Sequence, residues 1–232
     1  IWIKTLLVIA YPNDFIAPNG ALTCGGPCRK IDDRIKELAY SFLKNGDYGI
    51  FSTDTHQKND PYHPETKLFP PHNIKGTSGH DLYGKTAEWF NAHKDSDFVY
   101  QFDKNRYSSF QNTNLDNYLR SRGITELWLS GVCTDICVLH TAIAAYNLMY
   151  SLTIPEYAVA SFEQTGHELA MNHFKNCLGA TIVWSAKYSA QPSFYTYRKD
   201  YAKQTGRKKI CLKLKNRMIC NWLQIWSGFL CM

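Results

Sequence analysis

Two cysteines four residues apart, in the stretch GVCTDICVLHTAIAAY (131–146), flank a Thr-Asp pair where an apolar run gives way to helical spacing. Thiols in such a place have three fates: metal ligands, a redox pair, or one nucleophile with a neighbour. A structural zinc site is not expected, for want of a second cysteine pair at ligand spacing. The C-x-x-x-C spacing also differs from the C-x-x-C of dithiol redox motifs. Two readings stay open. Either Cys133 and Cys137 are small buried hydrophobes, or Cys137, in the first turn of a helix, is a nucleophile made more acidic by free N–H groups and the helix dipole.

A second stretch, STDTHQKNDPYHPETKLFPPHN (52–73), is dense in ligand types. Asp54 and His56 are two apart at a strand end, so their side chains share a face. Glu65 and His72 follow in a loop that Pro61, Pro64, Pro70 and Pro71 stiffen, with His63 as a spare candidate. Two imidazoles and two carboxylates form a borderline-hard set suited to Zn²⁺, Fe²⁺ or Mn²⁺. The alternative is a polar surface loop. The third stretch, FDKNRYSSF, puts Lys104 at the end of another strand. Near a thiol, this cation would stabilise a thiolate and later an oxyanion; otherwise it is a solvated surface lysine.

These groups need a scaffold that brings strand ends together. KTLLVIA (4–10), YGIFSTD (48–54), DFVYQFDK (97–104), TELWLSGV (125–132), SLTIPEYAVA (151–160) and ATIV (180–183) read as strands. Helical patterns separate them. In CRKIDDRIKELAYSFLKNG (28–46) Ile31, Ile35, Leu38, Ala39 and Phe42 recur on one face and Asn-Gly stops the run. TAEWFNAH, TNLDNYLRSRG, TDICVLHTAIAAYNLM and GHELAMNHFKNCLG read as the others. The expected fold is α/β: one domain with a parallel sheet and helices on both faces, a Rossmann-like three-layer arrangement. Sites in such sheets gather at the carboxyl ends of strands, where all three polar clusters fall.

The net charge of +6 over 232 residues hides two compositions. Residues 185–232 hold ten Lys/Arg and one Asp, a net +9, and the remaining 184 residues are mildly acidic at −3. The chain is therefore read as a domain over 1–184 followed by a basic, aromatic, aperiodic tail over 185–232, expected to be poorly structured. Clustered Lys/Arg with aromatics fits nucleic-acid binding; the plainer reading is an extension without function. No apolar run is long enough to span a bilayer and no cleavable signal is evident, so a cytoplasmic location with reduced thiols is expected.

Together the motifs YPNDF, DTHQKNDPYHPETKLFPPHNIKGTSG, DKNRYSSF, GVCTDICVLHTAIAAYNL and HFKNCLGATIV resemble the nicotinamidases of the isochorismatase-like cysteine hydrolase superfamily, over residues 3–183. The resemblance implies Cys137 as nucleophile and Lys104 as its electrostatic partner. It implies Asp54, His56, Glu65 and His72 as ligands to one divalent metal, zinc first, with iron or manganese as alternatives. Phe15, Phe69 and Tyr107 match aromatic positions around the pyridine ring of nicotinamide, the small-molecule substrate. The peptide before Cys133 would be cis, with the N–H groups of Cys133 and Cys137 forming an oxyanion hole. A homo-oligomer stays open.

One position departs from the family pattern. An aspartate at the end of the first strand normally takes the thiol proton and later activates water; here LLVIAYPNDF has Ala10 in that slot. Asp14 belongs to the NDF part of the motif, and alternation points Asp103 away from Lys104. The expectation is therefore an impaired amidohydrolase. The alternative is a non-catalytic protein that binds a metal and a pyridine carboxamide.

Overall fold

The computed structural model describes residues 3–184 and two short strands at 212–214 and 217–219. The chain divides into two units, Ile1–Ser189 and Ala190–Met232. In the first, β1 (Lys4–Ile9), β2 (Tyr48–Asp54), β3 (Val99–Lys104), β4 (Glu126–Val132), β5 (Ser151–Pro155), β6 (Val159–Ala160) and β7 (Thr181–Val183) form one sheet. Its order is β3-β2-β1-β4-β5-β7, with β6 beside β4, and every pairing in it is parallel. The helices are α1 (Asn13–Ile16), α2 (Gly26–Lys30), α3 (Asp32–Lys44), α4 (Gly84–His93), α5 (Leu115–Arg120), α6 (Leu139–Asn147) and α7 (Gln164–Asn176).

The chain winds outward from β1 in one direction through α3 and α4, then returns past it through α5, α6 and α7. Right-handed crossovers place helices of opposite winding on opposite faces. Accordingly α3 packs with α4, and α6 with α7. The central strands are continuous apolar runs because both of their faces are covered. Leu6, Leu7, Ile9, Ile50, Phe51, Leu127 and Leu129 have no more than trace exposure.

The apolar stripe expected on the first long helix is buried as read: Ile31, Ile35, Leu38, Ala39 and Phe42 all face the core. The element itself is broken, however. Pro27 opens α2, and Ile31, at φ −86° and ψ −4°, separates it from α3. Asn45 and the left-handed Gly46 close α3. The cysteine helix is also two pieces, a π-type turn over Thr134–Val138 leading into α6.

In the second unit β8 (Leu212–Leu214) and β9 (Arg217–Ile219) pair antiparallel. The rest of the segment expected to be poorly structured, 185–232, lies outside the described residues. Among the described residues no helix is long and apolar enough to cross a membrane.

Candidate active site

Strand register assembles the site. Lys104 and Asp54 close β3 and β2 as register partners, and Ile9 pairs with Ser52 on one side and Gly131 on the other. Lys104, Asp54, position 10 and the β4–α6 junction thus form a row along the carboxyl edge. Gly131 makes that junction possible. Its φ is +108°, and a Cβ there would strike the Ile9 carbonyl oxygen.

At the centre Lys104 is 1% exposed. Its ammonium donates to Asp54 Oδ1 at 2.8 Å and to the Arg106 carbonyl at 3.0 Å, and lies 3.6 Å from Cys137 Sγ. Burial alone would raise the Asp54 carboxyl, but Lys104 and His56 outweigh it and hold it well below the usual carboxylate range. Burial likewise pulls the Lys104 ammonium down, and the Asp54 carboxylate reverses this and raises it. Both groups are therefore charged.

Asp54 Oδ2 faces the other way, 2.9 Å from His56 Nε2 and 3.9 Å from His72 Nε2. Glu65 Oε2 lies 4.0 Å and 3.6 Å from the same two nitrogens. His72 Nδ1 donates to the Pro70 carbonyl at 2.8 Å, which leaves the Nε2 lone pair directed inward, buried and without a partner. Burial pulls the His72 imidazolium down, yet Glu65, the Pro70 carbonyl and Asp54 together raise it, so these surroundings reward a cation at Nε2. Among the described residues Asp54, His56 and His72 are the group whose ligand atoms converge closely enough, within 4.8 Å of one another, to hold a metal ion. The donor set and the orphaned nitrogen fit a divalent transition metal.

His63, the spare candidate, is used otherwise. Its Nε2 donates to the Asn105 carbonyl at 2.7 Å, and its Nδ1 accepts the Glu65 N–H at 3.3 Å. With both nitrogens engaged it caps the short 3₁₀ turn Pro64–Lys67 that presents Glu65.

Cys137 lies in the π-type turn and is buried. The expectation of an acidified thiol is reversed. Burial pushes it up to about 12; Lys104 pulls it down, but Asp54 and Glu65 push it back up. Cys133 sits at the start of the turn, after a cis Val132–Cys133 peptide, and its carbonyl accepts the N–H groups of Ile136 and Val138. Its thiol lies 3.3 Å from Cys24 Sγ. A second C-x-x-x-C pair, Cys24 and Cys28, thus meets the first, contrary to the reasoning from spacing. Hydrogen bonds among Cys24, Cys28 and Cys133 push in both directions, and with burial added all three thiols end up raised, so they stay protonated.

Phe15 and Phe69 flank His72, with ring centroids at 5.4 Å and 6.2 Å. The Tyr107 hydroxyl is pushed up to about 12 by burial and by the nearby Glu65 and Cys137, while its ring meets His140. Ala10 is wholly buried, at φ +50°, and its N–H donates to the Ser52 carbonyl at 2.9 Å. Asp14 is engaged with backbone: its oxygens accept the N–H groups of Ala21 and Asn73. Asp103 points outward, to Lys75 and His80.

An isochorismatase domain pattern matches residues 4–186. The chain belongs to the isochorismatase family. It is 52% identical over 180 residues to an uncharacterized isochorismatase family protein PncA of Bacillus subtilis, covering 78% of this chain and 98% of that one. The crystal structure of nicotinamidase/pyrazinamidase PncA from Bacillus subtilis matches with a TM-score of 0.77 and 52% identity, over 78% of this chain and all of that one (100%). A pyrazinamidase/nicotinamidase structure from Streptococcus mutans matches with a TM-score of 0.76 and 50% identity, over 78% of this chain and 99% of that one.

Two residues of this isochorismatase-family site escaped the sequence reading. Asn73 donates to Asp54 Oδ2 at 2.9 Å. Thr141 accepts the Ser109 N–H at 3.0 Å and donates to the Cys137 carbonyl at 2.7 Å, tying the loop after β3 to the cysteine turn. Neither type is a usual ligand or nucleophile, so nothing in a single sequence marks them.

Proposed function

We propose that this chain is a nicotinamidase-type amidohydrolase, converting nicotinamide and water to nicotinate and ammonia through a thioester on Cys137, and that Ala10 slows it. The observation that carries this reading is the two-sided use of Asp54. One oxygen holds the lysine that reaches the cysteine, and the other faces two imidazoles. The names of the similar proteins from Bacillus and Streptococcus support the substrate class.

Asp54, His56, Glu65 and His72 would hold one divalent transition metal, zinc in first place, with iron or manganese accepted by the same donors. Bound there, the ion would supply Lewis-acid chemistry on the ring-nitrogen side of the substrate. The other steps belong to the chain. Phe15, Phe69 and Tyr107 sandwich the pyridine ring and direct the carboxamide toward Cys137. A C–S bond forms, the C–N bond breaks, and the thiol proton leaves on ammonia. The N–H groups of Cys133 and Cys137 hold the carboxamide oxygen while the Lys104 ammonium balances the growing negative charge. Water then cleaves the thioester. Without a carboxylate at position 10, both proton transfers lack a positioned base, a loss of about 10²–10⁴ in rate. No part of this activity is assigned to 185–232.

Ala10 also favours a second reading, a non-catalytic binder of metal and pyridine carboxamide. Ammonia release from nicotinamide, measured on the zinc-loaded chain and its Ala10→Asp variant, decides between them. Release by Ala10→Asp that Cys137→Ala abolishes supports the enzyme. Binding of nicotinamide without release by either protein supports the binder, and absence of both overturns the two readings together.

A further inference from the structure

Asp54 serves two neighbours through two different oxygens, and a free carboxylate would rotate between them. Lys104 holds Oδ1 at 2.8 Å. On Oδ2, beside the imidazoles, the amide of Asn73 donates at 2.9 Å. An amide oxygen repels a carboxylate at that distance, so it is the Asn73 nitrogen that faces Asp54.

Three further features build Asn73 into this place. It is fully buried and sits at φ +46°, a conformation that Asn adopts more readily than other non-glycine residues. Its N–H is held by Asp14 Oδ2 at 2.7 Å, and its carbonyl accepts the His56 N–H at 3.0 Å. The backbone beside it, at Ile74, bridges in parallel to His56. The segment that carries His72 is thereby laid against the segment that carries Asp54 and His56. Finally, Asn73 Oδ1 is buried with no hydrogen-bond partner. An unpaired buried carbonyl is unfavourable, and an apolar residue of the same shape would avoid it, so packing alone does not account for an amide here.

We propose that Asn73 is a positioning residue of the metal-binding loop, fixing Asp54 so that Oδ1 serves Lys104 and Oδ2 serves the metal. This rests on the reading of Asp54, His56, Glu65 and His72 as metal ligands. Partners of this kind orient a ligand and tune its basicity, and their loss typically weakens metal binding about 10–100-fold.

The test titrates zinc against a competing chelator on the full chain and on two variants. Asn73→Gly keeps the left-handed backbone without strain and removes the amide; Asn73→Leu keeps the shape and removes the donor. Cobalt(II) loaded in place of zinc gives a visible spectrum that reports the ligand arrangement. The expected result is a loss of zinc affinity of about 10–100-fold and a shifted cobalt spectrum in both variants, with the melting temperature of chelator-treated Asn73→Gly close to the parent. Retention of affinity within about twofold and of the parent cobalt spectrum, in whichever variant folds, overturns the role of Asn73 and leaves the metal site standing. If the parent itself binds neither ion, the reading of the site fails and the role of Asn73 falls with it.

Discussion

The Lys104 ammonium lies 2.8 Å from Asp54 Oδ1, and the two residues are register partners at the ends of adjacent parallel strands. This buried pair joins the cysteine to the histidines. Lys104 is also 3.6 Å from Cys137 Sγ, and Asp54 is 2.9 Å from His56 Nε2. Removing Lys104 would leave the buried Asp54 carboxylate without its lysine cation, and breaking a buried pair in this way typically costs about 3–5 kcal/mol. Lys104→Met is therefore expected to lower the melting temperature markedly as well as abolish ammonia release. A thermal melt indistinguishable from the parent would show that the pair is not buried as described.

The backbone at position 10 suits an aspartate. It is left-handed, at φ +50°, where Asp is better tolerated than Ala. Ala10→Asp should raise nicotinamide hydrolysis by at least about 10²-fold, while the double variant with Cys137→Ala stays inactive. Brisk hydrolysis by the unmodified chain would mean that another group serves as base. Asp14 is a poor candidate for it, because its two oxygens already hold backbone N–H groups.

Metal content should separate the histidines. His56→Ala is expected to lose most of the bound ion, measured by atomic emission on protein never exposed to chelator. His63→Ala should keep it, because both nitrogens of His63 are engaged in holding the 3₁₀ turn. Losing that cap should lower stability by about 1 kcal/mol. Equal metal loss in the two variants would erase the distinction.

The Cys137 thiol should respond to metal. It is pushed up to about 12 by burial, and the Asp54 and Glu65 carboxylates add to the rise that Lys104 opposes. A thiol titrating there is almost wholly protonated near neutrality, so alkylation of Cys137 should be far slower than that of the exposed Cys177. Zinc would neutralise two of the groups that push the thiol up, and should speed alkylation of Cys137 relative to Cys177. Peptide mass spectrometry reads both sites; no change on adding zinc would contradict the electrostatic linkage.

Gly131→Ala should be severely destabilising. The backbone there has φ +108°, and the new methyl would meet the Ile9 carbonyl across the β1–β4 pairing. Strain of this kind belongs to the few mechanisms that exceed about 4 kcal/mol. Chemical denaturation gives the value, and a loss below about 1 kcal/mol, the size of an ordinary substitution, would rule the collision out.

The architecture was legible before the structure because a parallel sheet covered on both faces writes continuous apolar strands and periodic helices into the chain. Leu6 to Ile9 and the stripe Ile35–Leu38–Ala39–Phe42 are buried as their pattern implies. The candidate residues were legible too, because His, Asp, Glu, Lys and Cys at strand ends are conspicuous. What the chain order does not contain is adjacency. Only the strand order β3-β2-β1-β4 puts Lys104 between Asp54 and Cys137, fifty and thirty-three residues away. Only the fold brings Cys24 against Cys133, sets His63 to cap a turn, and lays Asn73 on Asp54. The thiol shows the difference most plainly. Local sequence puts Cys137 at a helix start, which favours the thiolate, while tertiary burial beside two carboxylates reverses the sign. Local patterns report the short-range forces on a residue, whereas desolvation and the charges of distant segments depend on where the whole chain comes to rest.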